Sequence, residues 1–236
     1  MISFVDVTKN YYVDDHTAIT PVDSVTLDLK RGEFVLIVGR SGSGKTTVLN
    51  LAAGLVKPTR GQVLIDGVDV NKMSDGRLAS FRSQKMGFVF QFPSLLPALT
   101  VLENVALPAV FAPRKQSANA HARAAGLLEN LGLKKKLAAY PKQLSAGEQK
   151  RVVIARALIN GPSILLADEP TSDLDEQTER EVMAVFRGIH SGGITIVMVT
   201  HSLELIPYAI RALRMENGVL TDASSPAGER KSRAAT

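Results

Sequence analysis

Between Gly39 and Thr46 the chain reads Gly-Arg-Ser-Gly-Ser-Gly-Lys-Thr, and this run restricts the possible folds more than any other. The spacing G-x-x-x-x-G-K-[ST] strings Gly39, Arg40, Ser41, Gly42, Ser43 and Gly44 into a loop whose backbone N–H groups surround a polyphosphate. Lys45 then reaches the outer phosphates, and the Thr46 hydroxyl is placed to hold Mg²⁺. Such a loop needs a buried strand before it and a helix after it. Glu33-Phe34-Val35-Leu36-Ile37-Val38 is a short apolar run that reads as the strand, and Thr47 to Ala53 reads as the helix. The phosphates then sit at a helix N-terminus, where unpaired N–H groups and the helix dipole favour anions.

A second apolar strand, Ile164-Leu165-Leu166-Ala167, ends in two carboxylates, Asp168 and Glu169. In a parallel sheet the carboxyl ends of the strands face the ligand crevice. Asp168 there suits a Mg²⁺ ligand, since Mg²⁺ prefers oxygen donors. Glu169 is placed to polarise a water for in-line attack on a γ-phosphate. Leu144-Ser145-Ala146-Gly147-Glu148 precedes a further helical stretch. Ser145 is a good N-cap and Glu148, three residues on, completes a capping box. The same features make a possible second anion site, from the Ser145 hydroxyl and the open N–H groups of that helix start.

The remaining periodicities organise the chain around these motifs. Ile2–Lys9 is strand-like, and Val25–Lys30 alternates strictly, as a half-exposed antiparallel strand does. Gly61–Gly67 and Met86–Gln91 read as two more short strands. From Leu99 to about Tyr140 the pattern turns helical, and Pro93, Pro97, Pro108 and Pro113 break it into short pieces. Regular alternation then resumes: helix over 145–160, strand over 164–168, helix over 176–190 and strand over 194–200. The expectation is an α/β fold with a mostly parallel core sheet, an N-terminal antiparallel β layer and a helical insertion. Residues 222–236 carry Ser, Ala, Gly, Pro and charge with little to bury, and read as a disordered basic tail.

Composition narrows the partners. The 236 residues include no cysteine, which excludes a disulfide framework and a thiolate metal site. The net charge of +5 is spread over the sequence apart from Lys134–Lys136 and the tail, and aromatic residues are few, at 5%. Stacking on nucleic-acid bases therefore has little support, and no nucleic-acid partner is expected. The N-terminus shows no basic segment followed by an apolar stretch, so no signal peptide is read there. The longest apolar runs, such as 194–199, are far too short to span a bilayer, and the chain is expected to be soluble by itself.

The ordered set of Gly39–Thr46, Gln91, Leu144–Glu148, Asp168-Glu169, Ser172-Asp173-Leu174-Asp175 and His201 clearly resembles the ATP-binding cassette (ABC) ATPases, from about Ile2 to Leu220. The resemblance implies an ATPase domain over 1–221 that contains a helical subdomain at about 92–160. It makes Glu169 the general base and His201 a switch residue on the γ-phosphate. Gln91 becomes a contact of Mg²⁺ and of the attacking water, and an aromatic near the N-terminus stacks on adenine. Counting from the first strand favours Tyr11 for that role, and counting back from Val25 favours Tyr12. It further implies an ATP-dependent homodimer in which Ser145, Ala146, Gly147 and Glu148 act in trans, with Asp175 tying the two sites together. An integral membrane permease would be the partner, on the cytoplasmic face of the membrane. The segment 91–105 looks like that of the lipoprotein-releasing, macrolide-exporting and cell-division systems. Ala146 departs from the commoner glycine, and would be penalised if its backbone required a positive φ. A DNA-repair ABC ATPase would need a long coiled coil between Lys45 and Ser145, and no sustained heptads occur there. A kinase on the same loop leaves the signature Leu144–Glu148, Gln91 and His201 unexplained.

Overall fold

The computed structural model describes residues 1–12, 14, 17–111 and 119–223. A core sheet of six strands has the order β10-β9-β3-β8-β7-β6. It comprises β3 (Phe34–Val38), β6 (Met86–Val89), β7 (Ile164–Asp168), β8 (Thr195–Thr200), β9 (Arg211–Glu216) and β10 (Val219–Asp222). All neighbours are parallel except β9 and β10. A second, antiparallel sheet has the order β2-β1-β4-β5. It is built from β1 (Ile2–Tyr12), β2 (Ala18–Leu29), β4 (Arg60–Ile65) and β5 (Val68–Asp69).

The continuous apolar runs follow from burial on both faces. Successive side chains of a strand point to opposite sides. Val35 and Ile37 of β3, Ile164 and Leu166 of β7, and Val197 and Val199 of β8 enter one core. That core also takes Val48, Leu49 and Leu51 of α1 (Lys45–Ala52), together with the inner face of the antiparallel sheet. The alternate residues Phe34, Leu36, Leu165, Ala167, Ile196 and Met198 enter a second core against two helices, α5 (Ala146–Leu158) and α6 (Glu176–Ser191). A third core is helical. Val101 and Val105 of α3 (Val101–Ala106) and Ala124 and Leu128 of α4 (Ala120–Asn130) pack there on Val152 and Ala155 of α5. Helix α5 therefore belongs to two cores, with Val153 and Ile154 turned toward the sheet and Val152 and Ala155 toward the helical lobe.

The strict alternation of Val25–Leu29 is matched by burial of Val25, Leu27 and Leu29 on the inner face of β2, while Thr26 and Asp28 are exposed. That strand runs further back than the alternation indicates, to Ala18. Sequence patterning did not pick out α2 (Asp75–Lys85), β9 or β10. Only Leu78 of α2 is buried, so this helix has no apolar stripe to betray it. β10 ends at Asp222, so the segment read as a tail begins one residue inside a strand. Of the rest of that segment, 224–236 lie outside the described residues.

Candidate active site

Strand register assembles the site. Val38 of β3 lies beside Thr200 of β8, Val199 of β8 beside Asp168 of β7, and Ala167 of β7 beside Val89 of β6. All four strands are parallel, so whatever follows their carboxyl ends emerges on one edge. The residues that emerge are Gly39, His201, Glu169 and Gln91 in that spatial order, drawn from four distant parts of the sequence.

The phosphate loop turns tightly onto α1. Gly44, the N-cap, has φ +107, and a Cβ there would lie 1.9 Å from the carbonyl oxygen of Pro21 in β2. Only glycine fits such a backbone. Pro21, Gly42, Gly44, Lys45, Thr46 and Thr47 line a pocket at this helix start. The Ser43 hydroxyl is buried and has no hydrogen-bond partner among the described residues, which leaves a polar atom inside the loop open to a ligand oxygen. The ammonium of Lys45, 6% exposed, donates to the carbonyls of Gly39 at 2.8 Å and Arg40 at 3.1 Å. It also lies 3.7 Å from Oε1 of Glu169.

Glu169 is held from several sides. Its φ is +44, a left-handed conformation that costs a non-glycine residue about 1 kcal/mol. The turn is secured by the Glu169 N–H donating to Val199 at 2.9 Å and by the Ser172 hydroxyl donating to the Glu169 carbonyl at 3.2 Å. It directs the carboxylate across the strand ends, where Oε2 accepts from the His201 backbone N–H at 3.2 Å and lies 2.9 Å from His201 Nδ1. A carboxylate only accepts, so in this contact the Nδ1 of His201 is the donor.

Thr46 Oγ1 donates to Asp168 Oδ1 at 3.2 Å. Burial pushes the Asp168 carboxyl above its ordinary range and the neighbouring Glu169 charge adds to this, while the Thr46 hydroxyl and Lys45 act in opposition. An acid with a raised folded pKa binds its proton more tightly folded than unfolded, so folding stability falls as pH rises through that window. Asp168→Asn cannot ionise. Without nucleotide it is expected to melt at a higher temperature than wild type at neutral pH, with the difference vanishing in acid. Differential scanning calorimetry across pH checks this, and an unchanged or lower neutral melting temperature would contradict it. Thr46 and Asp168 offer the hard oxygen donors that suit Mg²⁺. Among the described residues no group of three or more His, Asp or Glu is arranged to hold a metal.

The Leu144–Glu148 motif stands at the start of α5. The Ser145 hydroxyl accepts from the Glu148 N–H at 3.2 Å, and the Glu148 carboxylate accepts from the Ser145 N–H at 2.9 Å, which completes the expected capping box. Lys136 lies 3.3 Å from Glu148. Ala146 is the first helical residue and is not among the positive-φ positions, so the backbone penalty considered for it does not arise. Gly147 packs tightly: a Cβ there would lie 2.5 Å from Thr178 Cγ2 of α6 and would force one of them to shift. Asp175 caps α6, accepting from the Thr178 N–H at 3.0 Å and the Thr178 hydroxyl at 2.6 Å. Tyr11 and Tyr12 end β1, paired with Ile19 and Ala18 of β2, the strand whose Pro21 borders the phosphate loop. Tyr11 has the Lys9 ammonium 5.0 Å from its ring centre, and Tyr12 is 71% exposed.

Lys150 and Arg156 were not singled out from the sequence, yet both reach the segment after β6 from α5. A usable signal exists, because Lys150 shares the buried face of α5 with Gly147 and Ile154, and a lysine on an apolar stripe has to find a partner.

A phosphate loop opening a helix after β3, with an acid pair at the end of the parallel strand β7 one strand further across the same sheet, defines a P-loop nucleotide hydrolase. The sequence pattern of the ABC transporter family matches residues 22–172. The chain is 45% identical over 224 residues to the macrolide export ATP-binding/permease protein MacB of Rhodopirellula baltica, covering 94% of this chain and 33% of that protein. It is 45% identical over 220 residues to an uncharacterized ABC transporter ATP-binding protein of Thermotoga maritima, covering 92% of each. Among solved structures, the dimeric ABC transporter cassette MJ0796 superimposes with a TM-score of 0.85 at 41% identity, over 93% of this chain and 96% of that one. The same cassette in a dimeric post-hydrolysis state bound to ADP and Pi gives 0.85 at 39% identity, over 94% and 98%. The chain belongs to the ABC transporter family and is an ATP-binding, ATP-hydrolysing cassette. It spans about a third of the length of the macrolide-export protein it matches.

Proposed function

We propose that this chain powers a separate membrane permease of the export or mechanotransmission type, working on the cytoplasmic face of the membrane as an ATP-driven head-to-tail homodimer. The observation that carries the reading is the convergence of Lys45, Asp168, Glu169 and His201 on one edge of the parallel sheet. In this reading the loop Gly39–Thr47 binds the phosphates, Lys45 faces the outer ones, and Tyr11 or Tyr12 stacks on adenine. Thr46, Asp168 and Gln91 would hold Mg²⁺, which would supply charge neutralisation on the phosphate oxygens. Glu169 accepts the proton of the attacking water, oriented by Gln91, and His201 contacts the γ-phosphate. Ser145, Ala146, Gly147 and Glu148 close over the nucleotide of the second protomer, an arrangement suited to isologous two-fold symmetry, and Asp175 links the two sites.

Two facts support the permease. The matched third of the macrolide-export relative is joined in that protein to a permease portion. Beside β6, a groove lined by Leu55, Phe88, Phe90, Leu107, Phe111 and Ala157 leaves aromatic surface open, Phe111 being 78% exposed. No helix among the described residues is long and apolar enough to cross a membrane.

The test is recovery of tagged Glu169→Gln protein with ATP from detergent-solubilised host membranes, with co-purifying proteins identified by mass spectrometry. A stoichiometric integral membrane protein is the expected result. A soluble or DNA-associated partner alone would overturn the permease reading.

A further inference from the structure

Two cations remain that neither the phosphate loop nor the acid pair uses, one buried and one half-buried. The ammonium of Lys150, 3% exposed, donates to the backbone carbonyl of Gln91. Two turns further along α5, Arg156 donates to the carbonyls of Pro93 at 2.9 Å and Ser94 at 2.8 Å. Three hydrogen bonds from one helix thus reach three of the four residues of the stretch 91–94, about 60 positions away in sequence. The segment has little else of its own. Phe92 is exposed, Ser94 is exposed with φ +46, and 91–94 belong to no helix or strand.

Burial disfavours the charged forms of both side chains, while the Asp173 carboxylate, in the segment after the acid pair, attracts Lys150. On stability alone a methionine would fill such a place at no greater cost, because a buried charge gains little net free energy from its partners. A charge that bonds a backbone carbonyl does something a methionine does not: it fixes the position of that carbonyl.

We propose that Lys150 and Arg156 are positioning residues that fasten the Gln91–Ser94 segment to the helix opening with Ser145, so that Gln91 follows every displacement of that helix. The consequence is geometric. Helix α5 starts at the signature and shares two cores, and its inner cation reaches the residue placed next to the acid pair by the β6–β7 register. A shift of the signature therefore moves the Gln91 backbone directly, with no relay through the rest of the helical lobe. The effect on turnover rests on the reading of Gln91 given above, whereas the fastening itself does not.

The experiment compares wild type, Lys150→Met, Gln91→Ala and the double variant as full chains. Steady-state ATP hydrolysis and hydrogen–deuterium exchange of the amides in 91–94 are measured together. Lys150→Met is expected to speed exchange in 91–94 by about tenfold or more. It is also expected to lower kcat by roughly tenfold, the loss associated with one charged hydrogen bond, with KM for ATP changed less than about twofold. The double variant should be no slower than Gln91→Ala. Wild-type exchange in Lys150→Met would overturn the proposal, as would losses that multiply in the double variant. Faster exchange combined with a wild-type rate for Gln91→Ala would instead leave the fastening in place and remove the role of Gln91. If Lys150→Met does not fold, Arg156→Lys, which keeps a charge but gives up the two-pronged contact, is put through the same measurements. It should speed exchange of the Ser94 amide and leave that of Gln91 as in wild type, and an unchanged Ser94 amide would overturn the proposal.

Discussion

Glu169→Gln will lower kcat for ATP hydrolysis by about two to four orders of magnitude, the range expected when a general base is lost. Nucleotide affinity will change by no more than a few-fold. The asymmetry follows from the contacts. Glutamine keeps the size of the side chain and an oxygen able to accept from the His201 N–H, which lies 3.2 Å from the carboxylate in the native protein. It tolerates the left-handed backbone at φ +44 no better and no worse than glutamate. What it loses is the lone pair that takes the proton of water and the charge that faces Lys45 at 3.7 Å. Freed from that carboxylate, the ammonium has more of its field available for phosphate, so ATP binding is preserved while its breakdown stalls. Hydrolysis assays combined with light scattering on a sizing column check both halves: low turnover and an ATP-dependent dimer that persists. A variant that turned over ATP at the wild-type rate would show that Glu169 is not the base.

The same residue marks where sequence reasoning reaches its limit. That an acid pair ends β7 was legible from the apolar run before it, and so were the phosphate loop and the capping box at Ser145. Each is a local pattern whose physics acts within a few residues. The left-handed turn at Glu169 was not legible, because nothing in a glutamate announces a positive φ, and the conformation is imposed by Val199 and Ser172. Lys150 was overlooked for a related reason: its partner, Gln91, lies 59 positions away. Charged residues on helices are usually solvated, and only the buried stripe shared with Gly147 and Ile154 set this one apart. Strands β9 and β10 carry mixed patterns: β9 is only partly buried, and β10, at the sheet edge, is largely exposed and pairs on one side only. Tyr11 and Tyr12 are adjacent on one strand, so their side chains alternate across the sheet, and counting along the chain cannot separate them.

Lys45→Met is the complementary case, and here binding itself is expected to fail. ATP affinity should drop by about 100-fold or more, the scale of losing a buried cation that makes charge-assisted hydrogen bonds to phosphate. Isothermal titration of the purified chain with ATP and Mg²⁺ measures it. Stability should fall as well, in contrast to Asp168→Asn. The ammonium donates to the Gly39 and Arg40 carbonyls, so the substitution leaves two loop acceptors without their donor. It also leaves the Glu169 carboxylate, 13% exposed, facing an apolar chain in place of a cation. A buried acceptor stripped of its partner costs about 1–3 kcal/mol, so the melting temperature of the nucleotide-free protein should decline by several degrees. Arginine would not rescue it, because its planar fork is bulkier than an ammonium that is 6% exposed and enclosed by the loop. Together the two substitutions separate the functions that meet at the 3.7 Å contact between Lys45 and Glu169. Loss on the cationic side removes nucleotide binding, whereas loss on the anionic side leaves nucleotide bound and unhydrolysed. If Lys45→Met instead bound ATP normally and lost only turnover, the loop would not be the phosphate site, and the assignment of every residue around it would have to be abandoned.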